Sequence, residues 1–310
     1  MEMHVGDIAG TLSEKGDSVY AICAPGSRLE NDLRKRKILC HTINAGGYFR
    51  PFAILNAAKI FRHIQPDILH VHYSKDLWWV VPGLFFGKKI PAILSKHIGT
   101  QKPKRDPLHR LLYAHLRFII AISNVIRKNI IETHPVSADR VVVIHHGVDL
   151  SRYNPNAIDR NIQRQQLGFS RTDLVIGIIG RLQASKGYYE FLEMAASLKD
   201  DYCHCRFLLV GEASRGEEAD AKKILDYIDR LKLQEIVKWC GYREDIPEVL
   251  SAMDIFVFPS HAEAFGLVLI EAMAMAKPVI ASNCDGVLDI MIDGETGLLV
   301  QPKNSPTLTQ

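Results

Sequence analysis

The sequence lacks the features that mark secreted, metal-bound and membrane-spanning proteins. Its 310 residues contain six cysteines, and none of these form the C-x-x-C pair of a zinc or redox motif. The chain does not open with a basic segment followed by an apolar run, as a secretory signal does. The longest apolar stretch, Leu77–Phe86, is broken by Pro82 and Gly83 and falls short of the ~20 residues that a spanning helix needs. We therefore expect a cytoplasmic protein without a metal site or a disulfide framework.

What the sequence does contain is ordinary for a globular protein. Hydrophobic residues make up 47% and charged residues 24% of the chain, and at ~100–200 residues per domain the length suggests two domains. The net charge of +3 is unevenly divided, because residues 1–150 carry +9 and residues 151–310 carry −6. A basic half suits an anionic partner such as acidic lipid, a phosphorylated glycan or nucleic acid. The alternative is that these cations form solvated helix faces.

Short apolar segments alternate with amphipathic segments along most of the chain. Predicted strands include Asp67–His72, Val141–Ile144 and Leu174–Ile179, and predicted helices include Asn124–Thr133 and Tyr188–Leu198. Such alternation predicts an α/β fold, with parallel strands and helices on both faces of each sheet.

The alternation weakens in the polar segment 151–172, which we interpret as an interdomain connection. The sequence therefore predicts two Rossmann-like domains, residues 1–154 and 155–310. Ligands of such sheets bind at the carboxyl ends of the strands. If the two domains face each other, the expected active site lies in the cleft between them.

One segment of the second half combines acidic residues with a helix start. Residues 258–271 read FPSHAEAFGLVLIE, which places Glu263 and Glu271 eight residues apart around Gly266. A glycine permits close approach of a ligand, and a helix N-terminus binds anions through its unpaired amides. The alternative for each glutamate alone is a solvated surface acid.

A second motif, GRLQASKG at 180–187, directly follows the predicted strand Leu174–Ile179. Gly180 allows a tight turn there, and Arg181 and Lys186 place two cations in one loop at a strand's carboxyl end. Arginine binds phosphate as a fork and lysine binds it as a point charge, so the loop predicts a diphosphate cradle. The alternative is that Arg181 pairs with a structural carboxylate and Lys186 is solvated.

These motifs occur with others in an order that closely resembles the family 4 glycosyltransferases, which have the GT-B fold. The resemblance extends over nearly the whole chain, and the E-x7-E motif with its flanks is highly specific. The matching stretches are PDILHVHY (66–73), AISNVIRKNI (121–130), VIHHGVDLSRYNP (143–155), GRLQASKG (180–187), LLVGEA (208–213), CGYRED (240–245), SAMDIFVFPS (251–260), HAEAFGLVLIEAMAMAKPVIAS (261–282) and DGETGLLVQP (293–302).

The resemblance implies a retaining transfer from a nucleotide diphospho-sugar, without a cofactor or a metal ion. It assigns Arg181 and Lys186 to the diphosphate, where fixed donors stabilise the charge of the leaving group. It assigns Glu263 to hydroxyls of the transferred sugar and Glu271 to the ribose hydroxyls. No Asp or Glu nucleophile is assigned, since the family transfers by front-face attack assisted by the leaving phosphate.

The resemblance also implies the remaining donor contacts. The backbone amides of Phe265, Gly266 and Leu267 are expected to contact phosphate or sugar, beside the Gly180 loop. Tyr242 follows a predicted strand end, where the nucleotide base lies in the family.

In the first half, His97 ends a predicted strand and is expected to contact the donor sugar. The alternative for a lone histidine is a structural hydrogen bond. The expected acceptor is a glycan or lipid-linked glycan of the cell envelope. The basic runs Arg34–Lys37 and Lys102–Arg105 suggest peripheral contact with an anionic membrane. No recognised nucleic-acid module accompanies them, so we expect no nucleic-acid partner.

The chain departs from the family at three places. It reads His145-His146-Gly147 where the family has Pro-Asn-Gly, it opens after the family's first strand and paired-glycine loop, and it stops soon after the last motif. We therefore expect truncation at both ends. Two alternatives to an active transferase remain. One is a catalytically silent GT-B fragment that binds nucleotide or a partner chain, and the other is a GT-B epimerase or phosphorylase.

Overall fold

The computed structural model describes residues 2–44, 50–86 and 89–310. The chain forms two compact units, Met1–Ile144 and His145–Gln310. All strand pairs in both units are parallel among the described residues. Helices alternate with strands along the chain, and the predicted α/β fold with two Rossmann-like units is confirmed.

Among its described residues, the first unit has six strands in two sheets, with orders β1-β2 and β3-β4-β5-β6. Its elements are α1 (Glu2–Glu14), β1 (Tyr20–Cys23), α2 (Arg28–Lys35), β2 (Leu39–Thr42), α3 (Pro51–Ile64), β3 (Leu69–Val71), α4 (Leu77–Leu84), β4 (Ala92–Lys96), α5 (Pro107–Ala114), β5 (Leu116–Ala121), α6 (Asn124–Thr133) and β6 (Val141–Val143).

The second unit has one six-stranded sheet with the order β12-β11-β10-β7-β8-β9. Its elements are α7 (Arg160–Gln166), β7 (Leu174–Ile179), α8 (Tyr188–Leu198), β8 (Cys205–Val210), α9 (Glu218–Arg230), β9 (Val237–Trp239), α10 (Ile246–Ala252), β10 (Ile255–Phe258), α11 (Leu267–Ala274), β11 (Val279–Ser282), β12 (Leu298–Val300) and α12 (Ser305–Thr309).

Local sequence signals explain several element boundaries. The Ser123 hydroxyl accepts a hydrogen bond from the Ile126 amide at the start of α6, which satisfies one of the unpaired donors of the first turn. Asp106 accepts from the His109 amide at the start of α5 in the same way, and Pro107 occupies the first helical position. These caps fix where each helix begins, and therefore where the preceding loop ends.

The apolar residues of β7, β8 and β10 fill the core of the second unit from both faces of its sheet. On one face, Phe256 and Phe258 pack with residues of α10 and α11, and on the other Phe207 packs with Phe191 of α8. A strand buried on both faces is typical of a parallel sheet covered by helices. The core therefore holds the strand ends rigidly at the edge where the predicted motifs lie.

The two units divide after Ile144, whereas the sequence analysis placed the domain boundary after residue 154. The segment between these positions packs on the second unit. Tyr153 is buried in the core of the second unit, Val148 packs against that core, and His145 Nε2 lies 3.1 Å from Asp289 Oδ2. The HHG sequence is therefore part of the second unit.

The described part of the chain lacks two features, a membrane-spanning helix and a metal-binding cluster. None of its helices is long and apolar enough to cross a membrane. It also contains no cluster of three or more His, Cys, Asp or Glu side chains with the geometry to hold a metal ion.

Candidate active site

Three neighbouring strands of the second unit, β10, β7 and β8, end at one edge of its sheet. Gly180 follows β7, Gly211 follows β8, and Pro259 follows β10. Since parallel strands direct their carboxyl ends to the same edge, the loops after these strands meet there. The GRLQASKG motif and the E-x7-E motif therefore come together.

The loops after β7 and β8 touch through backbone. Gly211 has φ +141°, and a Cβ at this position would lie 1.7 Å from the Gly180 carbonyl oxygen. The Tyr188 hydroxyl donates to that same oxygen at 2.7 Å, and the Gly180 amide donates to the Val210 carbonyl at 2.9 Å. The requirement for glycine thus lies at Gly211. At Gly180 itself, where the sequence analysis placed it, φ is not positive and a Cβ would make only ordinary contacts.

The loops after β7 and β10 are joined in a similar way. Gly187 has φ +78°, and a Cβ there would lie 2.1 Å from the Pro259 carbonyl oxygen. The His261 amide donates to the Ser185 carbonyl at 2.9 Å. Because only glycine permits this approach, the two loops lie side by side with the Lys186 side chain beside the Glu263 side chain.

Lys186 and Glu263 form an ion pair. The Lys186 Nζ lies 2.5 Å from Glu263 Oε2, and less than one fifth of either side chain is exposed. Arg181 is exposed and donates to the Ser214 hydroxyl at 3.3 Å. The structure therefore brings Lys186 and Glu263 into direct contact and leaves the guanidinium of Arg181 near the surface.

Helix α11 begins beside this pair without a side-chain cap. It begins at Leu267, after Gly266 with φ +108°. The first amides of any α-helix have no acceptor within the helix, and its dipole favours negative charge there. The start of α11 is thus one anion-attracting element, and Phe265 lies just outside the helix.

The loop that carries Glu263 is fixed from behind. The Gly286 amide donates to the Glu263 carbonyl at 2.9 Å, and the Glu263 amide donates to Asp285 Oδ2 at 3.3 Å. A Cβ on Gly286 would lie 2.4 Å from the Ala264 carbonyl oxygen, so this packing also requires glycine. These contacts hold the backbone of Glu263 while leaving its carboxylate directed to Lys186.

Phe265 is buried and contacts both histidines of the HHG sequence. Its ring centroid lies 5.5 Å from the rings of His145 and of His146, stacked on the first and edge-on to the second. The departure from the family's Pro-Asn-Gly is therefore accommodated by aromatic packing. The Phe265 side chain supports the loop, and only its backbone amide remains a candidate for ligand contact.

The other two predicted donor residues lie at different places on the same edge. Glu271 is the fifth residue of α11, just over one turn from its start, and is half-buried. Tyr242 is 45% exposed and follows Gly241, whose carbonyl accepts from the Gly211 amide at 2.8 Å. The loops after β8 and β9 are thereby linked.

A second ionisable pair, which was not predicted from the sequence, lies at this edge. His261 Nε2 lies 2.8 Å from Glu190 Oε1, and Glu190 Oε2 is buried without a hydrogen-bond partner in the described structure. Glu190 lies on α8 and His261 lies two residues before Glu263. A histidine so close to Glu263 in the E-x7-E motif was the available signal.

In the first unit, His97 follows β4 and belongs to a group of histidines. Its Nε2 lies 3.4 Å from His72 Nδ1, and the ring of His4 is 5.6 Å from its own ring. Burial and the neighbouring positive charges lower the pKa of His97 to about 4, and burial likewise lowers that of His70 to about 4. His97 is therefore neutral at pH 7 and can form hydrogen bonds, but it does not carry a charge.

Lys96, which the sequence analysis did not single out, lies beside His97 and is 7% exposed. Its ammonium donates to the Ser74 hydroxyl at 3.3 Å and to the Thr100 hydroxyl at 3.1 Å. Burial, with a contribution from the charge of Lys104, lowers the pKa of Lys96 to about 8. The first unit thus holds a buried cation at the carboxyl end of β4.

Both basic runs of the first unit make contacts within it. Arg34 pairs with Glu30 at 2.7 Å, and Arg36 pairs with Asp32 at 3.0 Å. In the second run, the Arg105 guanidinium donates to two carbonyls at the end of α6, both at 3.0 Å. Part of the positive charge of the two runs is therefore engaged in ion pairs and hydrogen bonds within the first unit.

Comparison with known proteins follows the division of the chain. A family model described as "Glycosyltransferase Family 4" matches residues 1–152, and one described as "Glycosyl transferases group 1" matches residues 159–310. D-inositol 3-phosphate glycosyltransferase of Mycobacterium sp. (strain KMS) is 29% identical over 249 residues, which are 76% of this chain and 55% of that protein. The protein of that name from Rhodococcus opacus (strain B4) is 33% identical over 251 residues, covering 76% and 56%. The chain spans about half the length of these curated relatives.

Solved structures show the same fold over nearly the whole chain. A glycosyltransferase from Rickettsia africae ESF-5 superposes with a TM-score of 0.88 at 26% identity, covering 99% of this chain and 82% of that chain. Anabaena Alr3699/HepE, crystallised with UDP and glucose, superposes with a TM-score of 0.83 at 24% identity, covering 99% and 84%.

Proposed function

Because the chain belongs to the family 4 glycosyltransferases and has the GT-B fold, we propose that it transfers a sugar from a nucleotide diphospho-sugar. The observation that carries this proposal is the meeting of Lys186, Glu263 and the uncapped start of α11 at one sheet edge. A sugar diphosphate needs positive charge, amide donors and a hydroxyl acceptor, and this edge offers all three.

In the proposed reaction the bond between the anomeric carbon and the diphosphate oxygen breaks, and its electron pair stays on the diphosphate. Lys186 and Arg181 stabilise that growing negative charge, because both cations follow β7 at this edge. Glu263 accepts hydrogen bonds from hydroxyls of the transferred sugar. The acceptor hydroxyl attacks the anomeric carbon from the face that the diphosphate leaves and passes its proton to the departing diphosphate oxygen. The configuration at the anomeric carbon is therefore retained.

The nucleotide is held further along the same edge. The amides of Phe265, Gly266 and Leu267 contact the phosphates or the sugar, and Glu271 accepts from the ribose hydroxyls. Glu271 suits this role because it lies just over one helical turn from the start of α11. Tyr242 lies on the linked loop after β9, where its backbone can contact the base.

The first unit provides the acceptor side. We propose a glycan or lipid-linked acceptor of the cell envelope, and the relatives' printed name adds phosphorylated polyols to the acceptors worth testing. His97, neutral at pH 7, forms a hydrogen bond to the donor sugar, and the buried ammonium of Lys96 offers positive charge for an acceptor phosphate.

We also propose that contact with an anionic membrane is peripheral. Helix α5 exposes 58% of Leu108 and 50% of Leu111 beside the exposed Arg110, a combination that suits an acidic lipid surface. Sedimentation with acidic vesicles tests this contact. Binding that does not weaken with salt counts against the charge-based part of the proposal.

Isothermal titration of the 310-residue chain with UDP, GDP, ADP and their common sugar conjugates tests the donor proposal. UDP is the first choice, because the Anabaena structure contains UDP and glucose. The proposal is supported if one nucleotide binds and if this binding is lost in the double variant Arg181→Ala/Lys186→Ala. An acceptor screen then follows. A folded chain that binds none of them favours a silent fragment.

A further inference from the structure

We infer that the second unit has a separate binding site for small phosphate-bearing molecules at the edge of the sheet opposite the candidate active site. A cleft of about 540 Å³ lies there, within the size range of small-ligand sites. Its polar lining includes Arg160, Arg164, Arg171, Asp173, His204 and Asp254.

The cleft is distinct from the Lys186–Glu263 region. Leu174, the first residue of β7, lines the cleft, whereas Gly180 and Lys186 follow the last residue of that strand. Six residues of strand at ~3.3 Å each separate the two ends by roughly 20 Å. A ligand in the cleft therefore does not occupy the proposed donor site.

The charge around the cleft is predominantly positive. Arg160 and Arg164 both pair with Asp254, and the Lys277 ammonium donates to the Met253 carbonyl at 2.9 Å just before it. Burial, followed by the charges of Arg160 and Arg164, lowers the pKa of Lys277 to about 8. Three cations thus surround one carboxylate, and an anion in the cleft would reduce their mutual repulsion.

Arg164 also fixes the shape of the cleft. It is 3% exposed, and its guanidinium donates to the carbonyls of Ala252, Arg171 and Asp173 at 3.0, 3.0 and 2.9 Å. These bonds tie the loop before β7 to the end of α10. The loop that carries Arg171 is therefore held in place, and with the bond to Asp254 four of the five N–H donors of Arg164 are already used within the protein.

Arg171 is the ligand-contacting residue in this arrangement. Its side chain is exposed on the rim of the cleft and makes no hydrogen bond or ion pair within the described part of the chain. The exposed His204 lines the same cleft. A free guanidinium beside the cations Arg160 and Arg164 of the same cleft matches the bidentate recognition of a phosphate monoester.

Titration of the full chain with inorganic phosphate, AMP and glucose 6-phosphate at constant ionic strength tests the inference. Comparison of the three affinities shows whether the cleft prefers free phosphate, a nucleotide or a sugar phosphate. We expect Arg171→Gln to weaken binding of the best probe at least fivefold while UDP binding is unchanged. The matched control is Arg230→Gln, which removes an exposed arginine from α9.

Equal affinities in Arg171→Gln and Arg230→Gln would overturn the inference, as would an absence of millimolar binding by any probe. Phosphate binding that is lost in Arg181→Ala and retained in Arg171→Gln would place the anion at the donor edge and also overturn it. Failure of UDP to bind would count against the proposed transfer reaction alone, because the Arg171 effect is measured without UDP.

Discussion

The Lys186 ammonium lies 2.5 Å from the Glu263 carboxylate, although 77 positions separate the two residues in the chain. Neighbouring strands β7 and β10 bring their loops together, and the contact of Gly187 with Pro259 leaves room for nothing larger than backbone between them. In the proposed reaction both partners of this pair contact the donor. A bound sugar diphosphate must therefore divide the pair, since its phosphate takes the cation and its hydroxyls take the carboxylate.

This competition predicts different effects for substitution of the two partners. Lys186→Met should slow transfer by ~10²–10³-fold, as removal of a donor to a developing anion does. Glu263→Gln should tighten binding of the nucleoside diphosphate product, because Lys186 is released, and should still slow turnover of the sugar conjugate. Steady-state rates and product titrations measure both. Lys222→Met, which removes an exposed lysine paired with Asp226, is the matched control and should change neither. Equal product affinity in Glu263→Gln and the unmodified chain would contradict the competition.

Glu271 provides a test of the nucleotide end of the site. Glu271→Gln should weaken nucleoside diphosphate binding by ~10–100-fold, since a hydrogen bond to a charged acceptor contributes about 1.5–3 kcal/mol. The internal control is a 2′,3′-dideoxynucleoside diphosphate, which has no ribose hydroxyls and should bind both proteins alike. A Glu271→Gln effect of the same size on the dideoxy ligand would exclude the ribose contact.

Local patterns predicted much of this fold because they report on burial and capping. The helices Asn124–Thr133 and Tyr188–Leu198 have the predicted bounds, the first because Ser123 caps it. Helix α4, Leu77–Leu84, was not assigned, since it is apolar on all sides and contains Pro82, so it shows no helical period. The short strand β2, with the sequence LCHT, likewise gives no clear alternation.

For the candidate site, too, local sequence patterns identify single residues but do not show which side chains pair. Lys186 and Glu263 were each assigned from their motifs, but their ion pair depends on the strand order β10-β7, which no local pattern contains. The pairing of His261 with Glu190 and the burial of Lys96 were missed for the same reason. Chemistry-bearing residues were predictable one at a time, whereas their partners are set by the packing of distant segments.

The backbone crossing at Gly211 should be sensitive to a single methyl group. Gly211→Ala should destabilise the second unit by about 3 kcal/mol or more, since the added Cβ meets the Gly180 carbonyl at 1.7 Å. Gly216→Ala is the matched control, because Gly216 also has positive φ, at +87°, but open space around a Cβ. Its expected cost is only about 1–2 kcal/mol of backbone strain. Urea unfolding measures both, and equal losses would show that the close approach is not limiting.

Acid should destabilise the first unit between about pH 6.5 and pH 4. Burial lowers the pKa of His70 and His97 to about 4 and that of His134 to about 3. In this range the unfolded chain binds more protons at these imidazoles, so the free energy of unfolding falls as pH falls. Burial raises the pKa of Asp76 to about 6, which acts in the opposite direction but involves one group, whereas burial lowers the pKa of His4 in addition to those of the three histidines. Urea unfolding at pH 7.5 and 5.0, followed by fluorescence of the buried Trp79, measures the difference.

Single variants separate this cause from general acid sensitivity. His134→Gln should reduce the stability difference between the two pH values, because one of the three imidazoles is gone. His63→Gln, which replaces an exposed histidine of α3, should leave the difference unchanged. A pH dependence that is the same in His134→Gln and in the unmodified chain would rule out this linkage.

The pair formed by His261 and Glu190 should act as a positioning element for the loop that carries Glu263. His261 Nε2 is 2.8 Å from the Glu190 carboxylate, and its backbone amide holds the Ser185 carbonyl, so one residue connects α8 with both motif loops. His261→Ala should lower kcat about tenfold with little change in KM for the donor, because the nucleotide contacts of Glu271 remain. His261→Gln keeps a side-chain donor for Glu190 and should restore most of the rate. Equal loss of kcat in both variants would deny the role of the hydrogen bond, and a lower Tm with normal kcat in His261→Ala would make the pair purely structural.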